Sequence, residues 1–420
     1  MVGQQADTPG VVIVGAGHAG GRVAERLRAF GYDHAITLIG RESHRPYERP
    51  PLSKGVLTAQ AGAEPPYLLP QDKWEDLQVN FLSNTVCRSI DRSMKTVTLS
   101  TRKTLAYERL ILATGLAPGA LPHLSLSEHG IHGVNTYDHA ALLQRRLRAA
   151  ESVLIVGAGF IGLEVAASAR KIGAKVTIVE IAERPLQRLL PAHLSRWIEE
   201  WHRNHGVDIR CGRRIVARNS DDGCHRVTLD DGSALQADLI VVGVGGKPRI
   251  DLAANAGLKI DNGVIVNARC KSSDQNIYAI GDIAHHQPGN GRCSRRLESW
   301  KNAEDSAAVV ARDICGEQAH YDEIPWFWTD QFGNNLQMTG EFPDSGAMYE
   351  RGRIGDTGYL AYYTRGDRLI GAFGIDCGGD IRRARGHIEK SKPVTPAALS
   401  KAGLSLTVGP NAFAAEEQPA

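Results

Sequence analysis

The chain has 420 residues, enough for two or three domains with large buried cores. Apolar residues are 42% and charged residues 23%, the balance of a globular protein, and a net charge of +2 gives no bulk attraction for nucleic acid or an anionic membrane. No apolar run approaches the ~20 residues of a bilayer span, and MVGQQADTPG lacks a basic and an apolar leader segment, so the expected location is the cytoplasm.

VVIVG (11–15) is a β-branched run that predicts a buried parallel strand. The glycine-rich turn GAGHAG (15–20) follows it. GRVAERLRAFG (21–31) then has helical spacing and ends at a glycine, and AITLIG (35–40) is the next strand. TVTLS (96–100) reads as an antiparallel strand and RLILATG (109–115) as a buried one. The strand–turn–helix–strand unit then recurs as SVLIVG (152–157), GAGFIG (157–162), LEVAASARKIG (163–173) and KVTIVE (175–180). VTLDDGSAL (227–235) predicts a hairpin, DLIVVGVGGKP (238–248) a strand with a Gly/Pro breaker, and IYAIGD (277–282) a third apolar strand. From about residue 323 the texture changes. PWFWTDQFGNNLQMTGEF is rich in aromatics, and YLAYYTRGDRLIGAFGI alternates around a Gly-Asp turn, as in an α+β domain. NAFAAEEQPA (411–420) reads as a frayed tail.

The expected architecture is α/β: two Rossmann-like, doubly wound nucleotide-binding domains plus a C-terminal α+β domain. The boundaries are 1–115 and 247–322 for the first domain, 116–246 for a second inserted between its parts, and 323–420 for the third. A G-x-G-x-x-G turn lets backbone approach a pyrophosphate and aims free N–H groups at it from a helix start. Two such turns, each between a strand and a helix, predict two bound nucleotides. Glu180, ending KVTIVE, is placed to take ribose hydroxyls and to repel a 2′-phosphate, which favours NAD(H); Arg184 pulls the other way. In the first copy the available carboxylate is Glu42, preceded by Arg41, with a solvated loop charge as the alternative reading. The seven cysteines (Cys87, Cys211, Cys224, Cys270, Cys293, Cys315 and Cys377) are odd in number and scattered, which argues against a disulfide framework or a structural zinc site.

RPYERPPLSK (45–54), LATG (112–115), GFIGLE (159–164), IYAIGD (277–282), ESWKNAEDSAAVVARDI (298–314) and PWFWTDQFGNNLQMTGEF (325–342) stand in one order. In combination they resemble the FAD-dependent NADH:ferredoxin reductases of bacterial oxygenase systems, in the pyridine nucleotide-disulfide oxidoreductase superfamily. The resemblance implies FAD on Gly15, Ala16, Gly17, Ala19 and Gly20, with further contacts at Glu42, Arg49, Val86, Ala113, Thr114 and Gly115. It puts Gly281 and Asp282 on the ribityl chain, Trp300 at a backbone contact to the flavin, and Trp328 over its ring. A helix N-cap is the alternative for Asp282, and a core position for Trp328. Lys54 would stabilise negative charge at the flavin N5 edge, and Glu164 would pair with it and face the nicotinamide. NAD(H) would lie on Gly157, Gly159, Ile161, Gly162, Glu164, Glu180 and Gly245. Arg41 and Asn135 depart from the family pattern on the adenosine side.

The superfamily's cysteine relay is absent, since no cysteine pair exists and PPLSKGVLTAQ contains none. The resemblance therefore implies that NADH reduces FAD, which passes electrons singly to an acidic [2Fe–2S] ferredoxin. Arg382, Arg383, Arg385, Lys390 and Lys392 are candidates for steering that partner, or a solvated basic face. Competing functions are a reductase for rubredoxin, a quinone or oxygen, and a redox-sensing interaction protein of the apoptosis-inducing-factor kind.

Overall fold

β-branched runs closed by glycine form the central strands in both halves of the chain. The computed structural model describes residues 9–60, 62–126, 128–221, 224–287, 295–342, 346–401, 403 and 405–408; Cys293 and the expected tail 411–420 lie outside them. The chain divides into two compact units.

The first unit comprises Met1–Pro50, Glu64–Ala117 and Gly246–Glu323. Its five-stranded parallel sheet runs in the order Ile277–Ala279, Arg109–Leu112, Val11–Val14, Ile36–Ile39, Asn80–Leu82. All four residues of Val11–Val14 are buried because both faces are covered. Side chains alternate across the sheet, so Val11 and Ile13 join one apolar cluster with Leu27 and Val310. Val12 and Val14 join another with Val97 and Val264. From Val11–Val14 the chain goes to Ile36–Ile39 and Asn80–Leu82 on one side and returns with Arg109–Leu112 on the other, so the strand order reverses beside the C-terminal end where Gly15 stands. The helix that follows, His18–Ala29, begins three residues before the expected start at Gly21. Gly17 has extended backbone and serves as N-cap, so half of the glycine loop is already the first helical turn. This helix packs on Trp300–Ile314. TVTLS is the middle strand, Thr96–Leu99, of a small antiparallel sheet.

The second unit comprises Pro51–Ala63, Pro118–Gly245 and Ile324–Ala420. Its parallel sheet runs Val207–Arg210, Lys175–Val179, Ser152–Val156, Leu239–Val242, Ile131–His132. The helix Phe160–Ile172 ends on Gly173 in the left-handed conformation, φ 103°. The hairpin at 227–235 belongs to a three-stranded antiparallel sheet. The C-terminal segment forms a six-stranded antiparallel sheet whose Leu360–Arg365 and Arg368–Ile375 strands meet at the Gly366-Asp367 turn. The helix Gly378–Glu389 covers it with Ile381 and Ala384, which pack with Leu360, Leu369 and Ala372.

The short segment 51–63 belongs to the second unit for a specific reason. Buried Gln144 donates from Nε2 to the carbonyls of Val56 (2.6 Å) and Ala59 (3.0 Å), and Ser168 Oγ donates to the Ser53 carbonyl (2.9 Å). These bonds tie the carbonyls of Ser53, Val56 and Ala59 to the rest of the second unit. The unit boundary thus falls inside RPYERPPLSK, between Pro50 and Pro51. No helix among the described residues is long and apolar enough to cross a membrane.

Candidate functional site

In the first unit Gly15 has φ +115°, and a Cβ there would lie 2.1 Å from the Ala113 carbonyl oxygen. At Gly20 it would lie 1.8 Å from the Gly15 oxygen. Both positions therefore require glycine to close the turn. Gly17 differs: an added Cβ meets only Arg49 Nη2, at 3.7 Å. The His18–Ala29 helix has no side-chain cap and no acidic residue in its first turn. Its positive end and the Arg49 guanidinium together form a cradle for an anion.

Glu42 accepts from Arg49 Nη2 at 2.7 Å and from the Tyr47 hydroxyl, while Arg49 Nη1 donates to that hydroxyl at 2.9 Å. The carboxylate is thus spoken for by its own loop. Thr114 Oγ1 donates to the Arg249 carbonyl (2.8 Å), and the Arg249 N–H to that of Gly115 (2.9 Å). Burial lowers the Arg249 pKa, and Arg41 and Arg49 lower it further. An excess of positive charge suits a pyrophosphate. Arg249 was not identified from sequence; its signal is the Pro-Arg pair after the GVGGK breaker. Ala113 serves through its carbonyl against Gly15, and Ala16 packs on Gly40. Both backbone polar groups of Val86 bond Ser100.

Asp282 lies in the 3-10 turn Gly281–Ile283, which leads into the strand Ala284–His286, so it caps no α-helix. Gly281 has φ +65° and stands against Ala19. Burial, and then Glu298, push the Asp282 carboxyl up to about 7, against Arg296, Arg49 and His18. A carboxyl at that balance can accept from or donate to a hydroxyl-bearing ligand.

Trp300 donates from Nε1 to Glu48 Oε2 at 2.8 Å. The same Glu48 oxygen lies 3.3 Å from His18 Nδ1, and Glu304 Oε1 lies 2.8 Å from His18 Nε2. The Nε2 contact is a hydrogen bond and the Nδ1 contact a longer ion-pair approach, and carboxylates on both sides favour the charged ring. Burial opposes that charge, but Glu304 and Glu48 outweigh it and raise the His18 pKa. Arg22 joins both carboxylates, at 3.2 Å from Glu48 and 2.6 Å from Glu304. This network escaped sequence reasoning; an ionisable residue inside the glycine loop was its only local sign.

In the second unit Gly157 has φ +104°, with an added Cβ 2.5 Å from the Gly243 oxygen; at Gly162 it would be 2.0 Å from the Gly157 oxygen. Gly159 and Gly245 are open to space, and Ile161 is an exposed apolar side chain. Glu180 accepts from the N–H groups of Ala158 (2.5 Å) and Ala182 (2.8 Å), which fixes it at the mouth of the turn. Arg184 donates to the Leu190 carbonyl at 2.8 Å.

Lys54 Nζ lies 2.8 Å from Asp330 Oδ2, 3.5 Å from Glu164 Oε1 and 5.5 Å from the centre of the Trp328 ring. Glu164 is buried and accepts from Ser53 Oγ and from Thr329 Oγ1 (2.7 Å). Burial raises its pKa; Lys54, Ser53 and Thr329 work against that rise, and Asp330 adds to it. The strand Trp326–Gln331 sends Trp328 and Asp330 to one face, and buried Thr329 and Gln331 to the other. Trp328 stacks on Trp326 at 4.9 Å. Ser53, Thr329 and Asp330 were legible only as neighbours of singled-out residues. Arg382, Arg383, Lys390 and Lys392 are exposed, and Arg383 is paired with Asp380 at 2.5 Å.

The six described cysteines are free. Burial pushes Cys87 up to about 11 and Cys211 to about 12, so both are thiols, not reactive thiolates, at neutral pH.

The pyridine nucleotide-disulphide oxidoreductase profile matches residues 9–307, and a reductase C-terminal profile matches residues 326–407. Rhodocoxin reductase of Rhodococcus erythropolis is 37% identical over 388 residues, which cover 92% of this chain and 91% of that protein. The ferredoxin–NAD(+) reductase component of the p-cumate 2,3-dioxygenase system of Pseudomonas putida is 35% identical over 95% of this chain and 98% of its own. Among solved structures, the covalent putidaredoxin reductase–putidaredoxin complex matches with a TM-score of 0.88 at 34% identity, covering 93% of this chain and 95% of that chain.

Proposed function

This chain belongs to the pyridine nucleotide-disulphide oxidoreductase family, and within it we propose an FAD-dependent NADH:ferredoxin reductase that feeds an oxygenase. The observation that carries the reading is the Lys54–Glu164–Asp330 cluster beside Trp328: a cation held by two carboxylates against an aromatic ring. FAD, when bound, supplies the conversion of a two-electron hydride into single electrons.

The first unit's residues fit FAD. Gly15 and Gly20 close the turn, Gly17 leaves open backbone at the helix start for the pyrophosphate, and Arg49 supplies the countercharge. Asp282 offers a carboxyl to the ribityl hydroxyls, and Trp300 marks the ring end. In the second unit Gly157, Gly159 and Gly162 serve the NADH pyrophosphate, and Glu180 excludes a 2′-phosphate by charge. Ile161 and Gly245 leave room and apolar surface for the dinucleotide. Lys54 would supply countercharge to a reduced flavin, and Trp328 would offer it an aromatic surface. Glu164 faces the nicotinamide and pairs with Lys54. We assign 1–115 with 247–322 to FAD, 116–246 to NAD(H), and 323–420 to the C-terminal domain.

The names of similar reductases give a ferredoxin or putidaredoxin as their acceptor; we take an acidic [2Fe–2S] ferredoxin as the acceptor here, steered by exposed Arg382, Arg383, Lys390 and Lys392. We place the reaction in the cytoplasm, where NADH is regenerated and thiols such as the six described here stay reduced.

The test is a steady-state assay of the purified yellow protein with NADH as donor and a [2Fe–2S] ferredoxin plus cytochrome c as the acceptor chain. Controls omit ferredoxin or replace NADH by NADPH. Strong ferredoxin-dependent turnover with NADH preferred is the expected result. Flavin reduction by NADH without a ferredoxin-dependent rate would show another acceptor or a redox-sensing role, and absence of bound flavin would end the proposal.

A further inference from the structure

The buried face of the Trp326–Gln331 strand carries a hydrogen-bond chain that extends beyond the Lys54–Glu164 pair. Thr329 Oγ1 donates to Glu164 Oε1 (2.7 Å). Gln331 Nε2 donates to Thr329 Oγ1 (2.9 Å). Gln331 Oε1 lies 2.7 Å from Nε2 of His202, a ring with no exposed surface on the helix Ala192–Asn204. His202 Nδ1 has no hydrogen-bond partner among the described residues, and Trp201 and Phe332 lie edge-on to the ring at 5.7 and 4.9 Å.

The direction of this chain follows from donor chemistry. An ionised Glu164 can only accept, so the Thr329 proton must point to it. The Thr329 oxygen is then left as acceptor, which requires the amide N–H of Gln331 on that side. Its carbonyl oxygen therefore faces His202, and the ring must carry its proton on Nε2. A protonated Glu164 allows the opposite order: carboxyl to Thr329, Thr329 to the Gln331 oxygen, and the amide N–H to a bare Nε2. One amide orientation and one histidine tautomer thus correspond to one charge state of Glu164.

We propose that His202, Gln331 and Thr329 are positioning residues, a one-way hydrogen-bond chain that holds Glu164 ionised and oriented beside Lys54. The proposal rests on the reading that Glu164 faces the nicotinamide. Burial works against the Glu164 charge, so each donor matters to its balance. The charged groups facing Glu164 are Lys54 at 3.5 Å and Asp330, which is bound to Lys54 at 2.8 Å. Lys54 lowers the Glu164 pKa by more than Asp330 raises it, and the neutral donors Ser53 and Thr329 add to Lys54 against burial. Burial also lowers the His202 pKa to about 4, so that ring is neutral and its tautomer is meaningful. The end of the chain is anchored on a helix of the second glycine-loop fold, while Thr329 and Gln331 come from the C-terminal sheet.

Two measurements on the flavin-loaded protein test this. The first is imidazole nitrogen NMR of histidine-labelled protein at neutral pH, with the His202 signal assigned by its disappearance in His202→Asn. The Nε2–H tautomer is expected; an Nδ1–H tautomer or an imidazolium overturns the chain. The second is rapid-mixing reduction of the flavin by NADH as a function of pH in Thr329→Val and Gln331→Glu, both close in volume to the residues they replace. Each is expected to move the acid limb up by about one pH unit, which is tenfold in rate on the limb, with recovery at the alkaline plateau. A limb unmoved in both variants overturns the proposal, and so does an equal loss at every pH, the mark of a merely structural role. Glu164→Gln separates the two readings: if it leaves rate and limb unchanged, Glu164 does not serve the nicotinamide, and the tautomer alone then decides the chain.

Discussion

In the first glycine loop Gly15 and Gly20 press on carbonyl oxygens of Ala113 and Gly15, and in the second Gly157 and Gly162 press on those of Gly243 and Gly157. In each the middle glycine, Gly17 or Gly159, is free of backbone contact. The backbone problem is the same and has the same solution. Position for position, however, His18 stands where Phe160 does, and Arg22 where Glu164 does. His18 lies between Glu48 and Glu304, which raise its pKa, with Arg22 bridging the same two carboxylates. Phe160 instead stacks on Phe327 at 5.9 Å, and Glu164 is a buried carboxylate held by hydroxyls and Lys54. The difference teaches that the glycine cradle is generic. The first helical turn and its long-range partners decide what each cradle does: a fastened polar network in one, an apolar surface with one charge in the other.

The largest effect should come from filling a cradle. Gly20→Val is expected to abolish flavin retention, seen as colourless protein, because overpacking against backbone costs at least about 1–3 kcal/mol and closes the anion site. Gly162→Val should leave the protein yellow and remove its reduction by NADH. Equal flavin loss in both would erase the distinction between the loops.

Lys54→Ala comes next. Loss of the cation should lower the rate of flavin reduction by NADH on the order of 100-fold at unchanged flavin content, measured by rapid mixing. A rate within a factor of two of the parent would remove Lys54 from the chemistry.

Glu180→Ala should cut kcat/KM for NADH about tenfold while that for NADPH holds or rises, since the carboxylate both repels a 2′-phosphate and braces the turn through Ala158 and Ala182. The matched change Glu42→Ala is expected to leave the NADH-to-NADPH ratio unaltered, because Glu42 belongs to the other cradle and is bonded to Tyr47 and Arg49.

The smallest effect concerns His18→Phe, which copies the second loop into the first. The folded pKa of His18 lies above its unfolded value of about 6.5, so the stabilisation is complete below that pH and is lost as pH rises through the folded value. Glu48 and Glu304 are held below their unfolded value of about 4.3, and their share is lost only as pH falls through the lower folded values. The stability gap between parent and variant should therefore be widest near pH 6 and narrow toward pH 9, read by thermal melts at both. A gap that is flat or widens with pH would show that the ring is not an imidazolium.

Much of the fold was legible because its signals are local. The β-branched runs became Val11–Val14, Ser152–Val156 and Leu239–Val242, and the Gly-Asp turn became the hairpin at Gly366-Asp367. The helix start at His18 was misplaced because Gly17, with no polar side chain, acts as N-cap through backbone shape alone. Within the candidate site, Lys54 and Glu164 were named from motifs, but their hydroxyl and carboxylate partners were not. Thr329 is nowhere near Glu164 in sequence, and Glu304 is equally remote from His18; no periodicity reports such a pairing.

By itself the sequence determined what depends on a residue and its immediate neighbours: where chain can turn with positive φ, which runs bury both faces, and that two glycine turns each join a buried strand to a helix. The tertiary structure decided the charges. Whether His18 is an imidazolium, whether Glu164 is ionised, and which unit holds residues 51–63 depend on burial and on partners brought from far along the chain. Desolvation and hydrogen bonding are sums over space, and only the folded chain performs them.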